Sequence, residues 1–335
     1  MSPVHPQVAS PSERRWFRFS LLAVLILFVV AYLPFFERVS HQDDIYYVYV
    51  EGGRLAAGAN PYARVLASDM RHNDKYATYL PGTYLAAAWL RQAGFVSFKD
   101  WLTAWRWALL GLTLATAAAF FRVLGPEQRW LALFVATFWL FNRWTLEVVR
   151  IAHIDVPALL AVIAALALLP RRSRIAGLLL GVSLAIKHIA VLLVPLFLIW
   201  AWQRRRRWRD MLEQGVWIAL LPALLTLPFL LWDAEALLRT LLFPMTRLPA
   251  QTVGAASLDA SLGLIGLPAK LPMLLLFAGV YGLAWRGLVN RWAAAFLIFA
   301  VFTGYNSVLF PQYMVWPLTL LPLLWAAADP TDSSA

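Results

Sequence analysis

Residues 171–207 read RRSRIAGLLLGVSLAIKHIAVLLVPLFLIWAWQRRRR: an apolar run of about 28 residues, Ile175 to Trp202, between two arginine tufts, with Lys187-His188 near its middle. One continuous helix would hold the lysine at mid-bilayer, at a cost of about 2.5–3.5 kcal/mol on insertion scales. It would also put the two tufts on opposite sides of a membrane, against the bias of Lys and Arg towards the cytoplasm. Two short helices joined at Lys187-His188 remove both conflicts. At 1.5 Å per residue each half is only about 20 Å long, shorter than the roughly 30 Å hydrocarbon core. The tip therefore lies in a recess below the outer surface.

Similar apolar blocks lie on either side, at 103–121, 130–142 and 155–170 before this hairpin and at 216–232, 270–285, 292–305 and 313–328 after it. The first block, Phe17 to Phe36, follows Arg14-Arg15 and ends in Pro34-Phe35-Phe36-Glu37-Arg38 without a small-residue cleavage pattern, which reads as an uncleaved signal anchor. Tyr79 to Phe95 is apolar too but contains Pro81, Gly82 and Arg91. If it does not span, Arg122–Arg129, Arg171–Arg174 and Arg204–Arg209 all face the cytoplasm, so the basic-loop bias favours an interfacial helix. The expected fold is an all-α polytopic membrane protein of about ten spans. Residues 1–16 form a cytoplasmic segment and 17–328 the transmembrane domain, with 37–102 as a long first outer loop containing interfacial helices. Residues 329–335 form a polar cytoplasmic tail. Both termini face the cytoplasm, in a cell (inner) membrane.

Composition agrees. Hydrophobic residues make up 61% of the 335 and charged residues only 14%, against about a quarter charged in a soluble domain. Seventeen Trp and eleven Tyr suit a chain with two membrane–water boundaries. The net charge of +11 is held in short tufts between apolar blocks. That is the positive-inside pattern, not the solvent-facing basic surface that nucleic-acid binding needs. There are no cysteines, which removes disulfides and thiolate metal sites.

With this topology the unusual polar residues fall on the outer side. Just beyond the first span lies His41-Gln42-Asp43-Asp44-Ile45-Tyr46-Tyr47. Ser40-x-x-Asp43 fits a capping box, which explains one acid but not two. A carboxylate at the mouth of a span can act as general base towards an acceptor hydroxyl. Arg143, Glu147, Arg150, His153 and Asp155 crowd between two spans and cannot face lipid. The spacing Arg143/Glu147/Arg150 allows an ion-pair ladder, which leaves His153 and Asp155 over. His-x-Asp could supply two metal ligands, a weak signal on its own. Lys187, with His188, is suited to a phosphate as a point charge. Arg239, Arg247 and Lys270 share the next outer loop. Tyr305-Asn306 and Pro311-Gln312-Tyr313 mark the last outer turn.

The stretches Asp44-Ile45-Tyr46-Tyr47, Arg54-Leu55-Ala56-Ala57-Gly58-Ala59-Asn60-Pro61-Tyr62, Tyr79-Leu80-Pro81-Gly82-Thr83-Tyr84, Gly181 to Lys187, and Phe310-Pro311-Gln312-Tyr313-Met314-Val315-Trp316 resemble, in order and spacing, polyprenyl-phosphate-sugar-dependent membrane glycosyltransferases of the GT-C class. The nearest resemblance is to the mannosyltransferase-like proteins of glycosyltransferase family 87. It implies inverting transfer of a sugar, mannose as the family-level expectation, from a polyprenyl-phosphate donor to a glycolipid or polysaccharide acceptor of the cell envelope. Asp44 is then the base, ahead of Asp43, with Asp155 as a second acid. Lys187, His188 and Arg247 would lie near the donor phosphate. Tyr47, Asn60, Tyr62, Glu147, Arg150, His153, Gln312 and Tyr313 would line the substrate site. The class has metal-dependent and metal-free branches, so a divalent cation stays open. His153-Ile154-Asp155 departs from the Gly-Gln type of sequence associated with family 87. A transporter of a lipid-linked sugar and a non-catalytic relative are the competing expectations. Against the first, no internal repeat is evident.

Overall fold

The computed structural model describes residues 10–68, 76–246, 257–264, 267–306 and 310–326. Among them there is no strand, and four helices are long and apolar enough to cross a membrane. These lie at Pro11–Glu37, Phe98–Leu124, Trp208–Trp232 and Pro268–Trp285. In chain order the helices are α1 (Pro11–Tyr32), α2 (Asp44–Ala56), α3 (Pro81–Gln92), α4 (Phe98–Leu124), α5 (Arg129–Phe141), α6 (Arg143–Arg150), α7 (Asp155–Leu168) and α8 (Ser173–Ile186). They continue with α9 (Val194–Arg205), α10 (Trp208–Trp232), α11 (Ala234–Thr246), α12 (Leu258–Ser261), α13 (Leu267–Trp285), α14 (Arg291–Tyr305) and α15 (Val315–Leu320). Arg247 and the tail 329–335 lie outside the described residues.

The core sits around α7. Its sequence DVPALLAVIAALAL is apolar on every side, as a helix surrounded by protein must be. It packs on α4 and α8, and α8 in turn on α10. By contrast, α10 is buried at only Gln214, Ile218 and Phe229, and presents a row of exposed leucines outward.

The run 171–207 breaks where the lysine sits. α8 ends at Ile186, Lys187 is extended, and a 3-10 turn, His188–Leu193, leads into α9. The two arginine tufts return to the same end: Arg174 at the start of α8 and Arg204 and Arg205 at the end of α9 face one cavity, and Arg204 donates to the Pro170 carbonyl at 3.0 Å. The hairpin expected from charge placement is therefore present. Its arms, of 14 and 12 residues, span only about 21 and 18 Å.

The segment Tyr79–Phe95 holds the 12-residue α3, about 18 Å long and too short to cross a bilayer. It lies against α2 on one side and the end of α8 on the other, and one glycine permits each close approach. A Cβ on Gly52 would meet that of Ala87 at 2.4 Å, and one on Gly82 would meet the Ala185 carbonyl at 2.5 Å. Thr83 donates to the Ile186 carbonyl at 3.0 Å, fastening the start of α3 to the end of α8. Two expectations need correction. The block 313–328 is not one continuous span: a 3-10 turn at Pro311–Met314, α15 and another 3-10 turn at Leu321–Trp325 replace it. Pro322 has no N–H to donate and its ring clashes with the preceding turn, which ends the α-helix. The capping box is also not formed. α2 begins only at Asp44, so Asp43 rather than Ser40 is its N-cap; Asp43 makes no side-chain cap bond and pairs with Arg38 instead.

Candidate active site

The α6–α7 turn sets the first two groups of the site. α6 closes with paired bonds from Ala152 N–H to the Val149 carbonyl (3.1 Å) and from His153 N–H to the Val148 carbonyl (3.0 Å), with Ala152 left-handed at φ 55°. This is a Schellman closure with alanine where glycine is usual, and a left-handed residue other than glycine costs about 1–2 kcal/mol. It turns the chain sharply, so that His153 and Asp155, the first residue of α7, face each other. His153 Nδ1 lies 2.5 Å from Asp155 Oδ2, both buried. Neither atom has another partner. At this separation the nitrogen must carry a hydrogen and donate it, since two bare lone pairs would repel.

The remaining two polar contacts of Asp155 are on Oδ1: Lys187 Nζ at 2.5 Å and Trp316 Nε1 at 2.6 Å. The start of a helix also favours a carboxylate. Trp316 comes from α15, and Lys187, from the break after α8, also lies 5.3 Å from the ring centre of Tyr313. Its charge is thus committed to a carboxylate.

On the other side of the imidazole, Nε2 is 2.9 Å from the Tyr79 hydroxyl and 3.5 Å from Asp44 Oδ2. Tyr79 donates to the same Asp44 oxygen at 3.0 Å. Burial, helped by the Asp44 charge, raises the tyrosine hydroxyl well above its ordinary pKa, so it keeps its proton. Burial and nearby Lys187 oppose a charge on His153, but Asp155 and Asp44 outweigh them and raise its pKa above the usual imidazole value. With Asp44 ionised, one proton arrangement satisfies every contact: His153 charged and donating to Asp155 and to Tyr79, with Tyr79 donating to Asp44. The chain Asp44, Tyr79, His153, Asp155, Lys187 then holds two negative and two positive charges.

Asp44 is the outer end of this chain. Its side chain is 22% exposed, whereas that of Asp155 is 0% exposed. Tyr79 is held by its own neighbours. Tyr62 donates to its carbonyl at 3.0 Å, and the Tyr84 hydroxyl accepts its N–H at 3.1 Å. Asn60 Oδ1 accepts the Tyr62 N–H at 2.9 Å, and Tyr62 is wholly buried against Tyr84 and Phe229. Asn60 and Tyr62, expected at the substrate, are placed as buttresses of Tyr79. Changing Tyr79 to Phe keeps the ring and removes the donor to a carboxylate. A hydrogen bond to a charged group is worth about 1.5–3 kcal/mol, so the turnover rate is expected to fall roughly tenfold or more with a smaller change in KM. An unchanged rate would remove Tyr79 from the chemistry.

The other expected residues lie around this centre. Asp43 is paired with Arg38, which also reaches the Arg150 carbonyl at 3.5 Å. Glu147 and Arg150 form a two-point ion pair at 2.7 and 2.6 Å that holds the Glu147 carboxyl below its usual pKa, while Arg143 lies over the Trp144 ring instead of joining the ladder. Tyr47, His188, Gln312 and Tyr313 are all partly exposed. A metal does not fit the centre. Both His153 nitrogens and both Asp155 oxygens are engaged within the chain, and the described residues contain no His, Asp and Glu group arranged to hold one.

Two charged features went unread in the sequence. Arg106, 2% exposed within α4, donates to the Phe36 carbonyl at 3.3 Å and the Arg150 carbonyl at 3.5 Å. Glu51 is fully buried on α2, held by Arg64 and, at 3.2 Å, by Arg54; burial raises its carboxyl against the pull of both arginines. A signal for Glu51 existed: it follows Ile45 and Val48 at three-residue steps along the buried face of α2.

In this helical membrane protein a partly exposed carboxylate, Asp44, is joined through Tyr79 and His153 to a buried ion pair, an arrangement suited to accepting a proton at its surface. The family model described as glycosyltransferase family 87 matches residues 77–321, more than half of the chain, and the protein belongs to that family: it is a glycosyltransferase. The match begins after Asp44. No curated protein matches the chain.

Proposed function

We propose that the protein transfers a sugar, with inversion, from a polyprenyl-phosphate donor to a glycolipid or other cell-envelope acceptor on the extracytoplasmic face, with Asp44 as general base. Mannose is the sugar the family resemblance suggests. The reading takes about ten crossings of GT-C type, an inner membrane and both termini in the cytoplasm. It is supported by the meeting of the arginine tufts at the end of the hairpin away from Lys187.

The observation that carries the proposal is the position of Asp44. Of the three candidate acids, Asp43 is neutralised by Arg38 and Asp155 is sealed under Lys187, His153 and Trp316, while Asp44 has an exposed edge. In the reaction the acceptor oxygen forms a bond to the anomeric carbon as the bond from that carbon to the phosphate oxygen breaks. The acceptor proton passes to Asp44, and the lipid monophosphate departs with one more negative charge. Negative charge thus moves from Asp44 to the phosphate. Lys187 is buried with its Asp155 partner, whereas Arg38 and Arg150, although each paired with a carboxylate, are part-exposed and are the cations that can meet the phosphate.

The test is a glycolipid and envelope-sugar profile of a deletion strain, with and without the wild-type gene. Loss of one glycoconjugate, with its precursor accumulating, identifies the acceptor and supports transfer. An unchanged glycoconjugate profile with a lipid-linked sugar trapped on the inner leaflet would instead make the protein a transporter.

A further inference from the structure

The end of the bundle away from Lys187 contains a second polar site. A cavity of about 170 Å³ lies between the start of α8, the end of α9 and the first turns of α10. α8 has 14 residues, so about 21 Å separates this cavity from the break at Lys187. Two helix N-termini open there, and neither N-cap, Arg172 nor Arg207, gives a side-chain bond to its helix. The Asp210 N–H donates to the Arg207 carbonyl at 3.1 Å; the earlier N–H groups of each first turn and the positive dipole ends face outward to an anion.

Two further atoms point to a ligand. Gln214 is only 3% exposed, lines the cavity, and its Nε2 has no hydrogen-bond partner. Asp210 Oδ2, also lining it, is buried without a partner. One is a donor and the other an acceptor. Three guanidinium groups, Arg174, Arg204 and Arg205, stand against the carboxylates of Asp210 and Glu213, leaving one positive charge in excess. Arg174 is paired with Glu213 and Arg204 bonds the Pro170 carbonyl, while Arg205 stands exposed at the rim. Beside the lining residues of α10 runs a stripe of exposed apolar side chains at four-residue spacing: Leu212, Val216, Leu220 and Leu224.

We propose that this cavity binds the headgroup of an anionic glycerophospholipid that carries hydroxyl groups, its acyl chains lying along the α10 stripe. The phosphate meets Arg205 and the helix N-termini. A headgroup hydroxyl donates to Asp210, and the Gln214 amide donates to a headgroup oxygen. A free phosphate would leave Asp210 facing an anion and would not use the stripe. A headgroup with its own ammonium would have no net charge to meet the excess positive one. Basic pockets between membrane helices are suited to such lipids. Bound there, the lipid joins both ends of the α8–α9 hairpin to α10, the helix against which both arms pack.

The test uses the purified full chain in detergent, with unfolding followed by tryptophan fluorescence. Dioctanoyl phosphatidylglycerol should raise the midpoint saturably. The phosphatidylcholine and phosphatidylethanolamine analogues should need at least tenfold higher concentrations, and inorganic phosphate should give no saturable rise. Arg205→Ala and Asp210→Asn should each shift the phosphatidylglycerol midpoint concentration about tenfold upward while the ligand-free protein unfolds normally. An equal rise with phosphate alone, an equal rise with phosphatidylcholine, or a wild-type response from both variants would each overturn the proposal. The readout does not involve sugar transfer, so its failure leaves the glycosyltransferase assignment intact.

Discussion

An Asp44→Asn enzyme is expected to transfer sugar roughly 10²–10⁴-fold more slowly than wild type, the usual worth of a general base. Asparagine keeps the shape and can still accept from Tyr79, which bonds Asp44 at 3.0 Å, so the fold should survive. What it loses is the ability to take the acceptor proton. Asp43→Asn is the matched control, one residue away. It breaks the part-exposed pair with Arg38 but leaves the Arg38 guanidinium in place to meet the donor phosphate. Its rate should therefore stay within a few-fold of wild type. The measurement is the initial rate of glycoconjugate formation in membranes from the complemented deletion strain, at matched protein level. If Asp43→Asn fails and Asp44→Asn works, the base has been placed one residue too late.

Lys187→Met should be the most destabilising single change near the site. It leaves the fully buried Asp155 carboxylate without its ammonium partner, and removing one member of a buried pair typically costs 3–5 kcal/mol. Thermal unfolding in detergent reports this directly. A lysine that served only the donor phosphate would give the opposite pattern, full stability with lost activity. Unfolding at the wild-type midpoint would refute the structural role. His153 adds a pH dependence of known sign. Its raised pKa in the folded chain means that its contribution is complete below the unfolded imidazole value, about 6.5, and is lost as the pH rises through the folded value. The wild-type midpoint should accordingly fall as the pH rises above the unfolded imidazole value, and a His153→Gln variant should lose that part of the dependence.

Much of the architecture was legible because it follows from local rules. Arg171–Arg174 and Arg204–Arg207 flank a run too long for one arm and too polar at Lys187 to cross as one helix, and the chain breaks there. Pro81 and Gly82 ahead of a short apolar stretch read as an interfacial helix, and α3 has only 12 residues. The broken last block was missed because hydropathy measures length and polarity, while Pro322 acts on backbone bonding. Asp44 stands out beside Asp43 at the mouth of the first span, His153 and Asp155 in a charged cluster between two spans, and Lys187 within an apolar run, since charge is costly there wherever it occurs.

Their partnership was another matter. Asp155 meets Lys187 across 32 residues and Trp316 across 161, and Tyr79 meets His153 across 74. No periodicity extends over such separations; they are set by how α3, α7, α8 and α15 pack. The same packing divided Asp43 from Asp44, because the start of α2 turns one towards Arg38 and the other towards Tyr79. The sequence by itself determined a basic-tufted, helical membrane protein with its acids and its lysine at the ends of short helices, because burying charge and leaving helices too short are penalised locally. Only the tertiary structure decided which acid keeps an exposed edge and which is sealed by a lysine. That outcome depends on the partners brought within hydrogen-bond distance, and distance is a property of the packed chain.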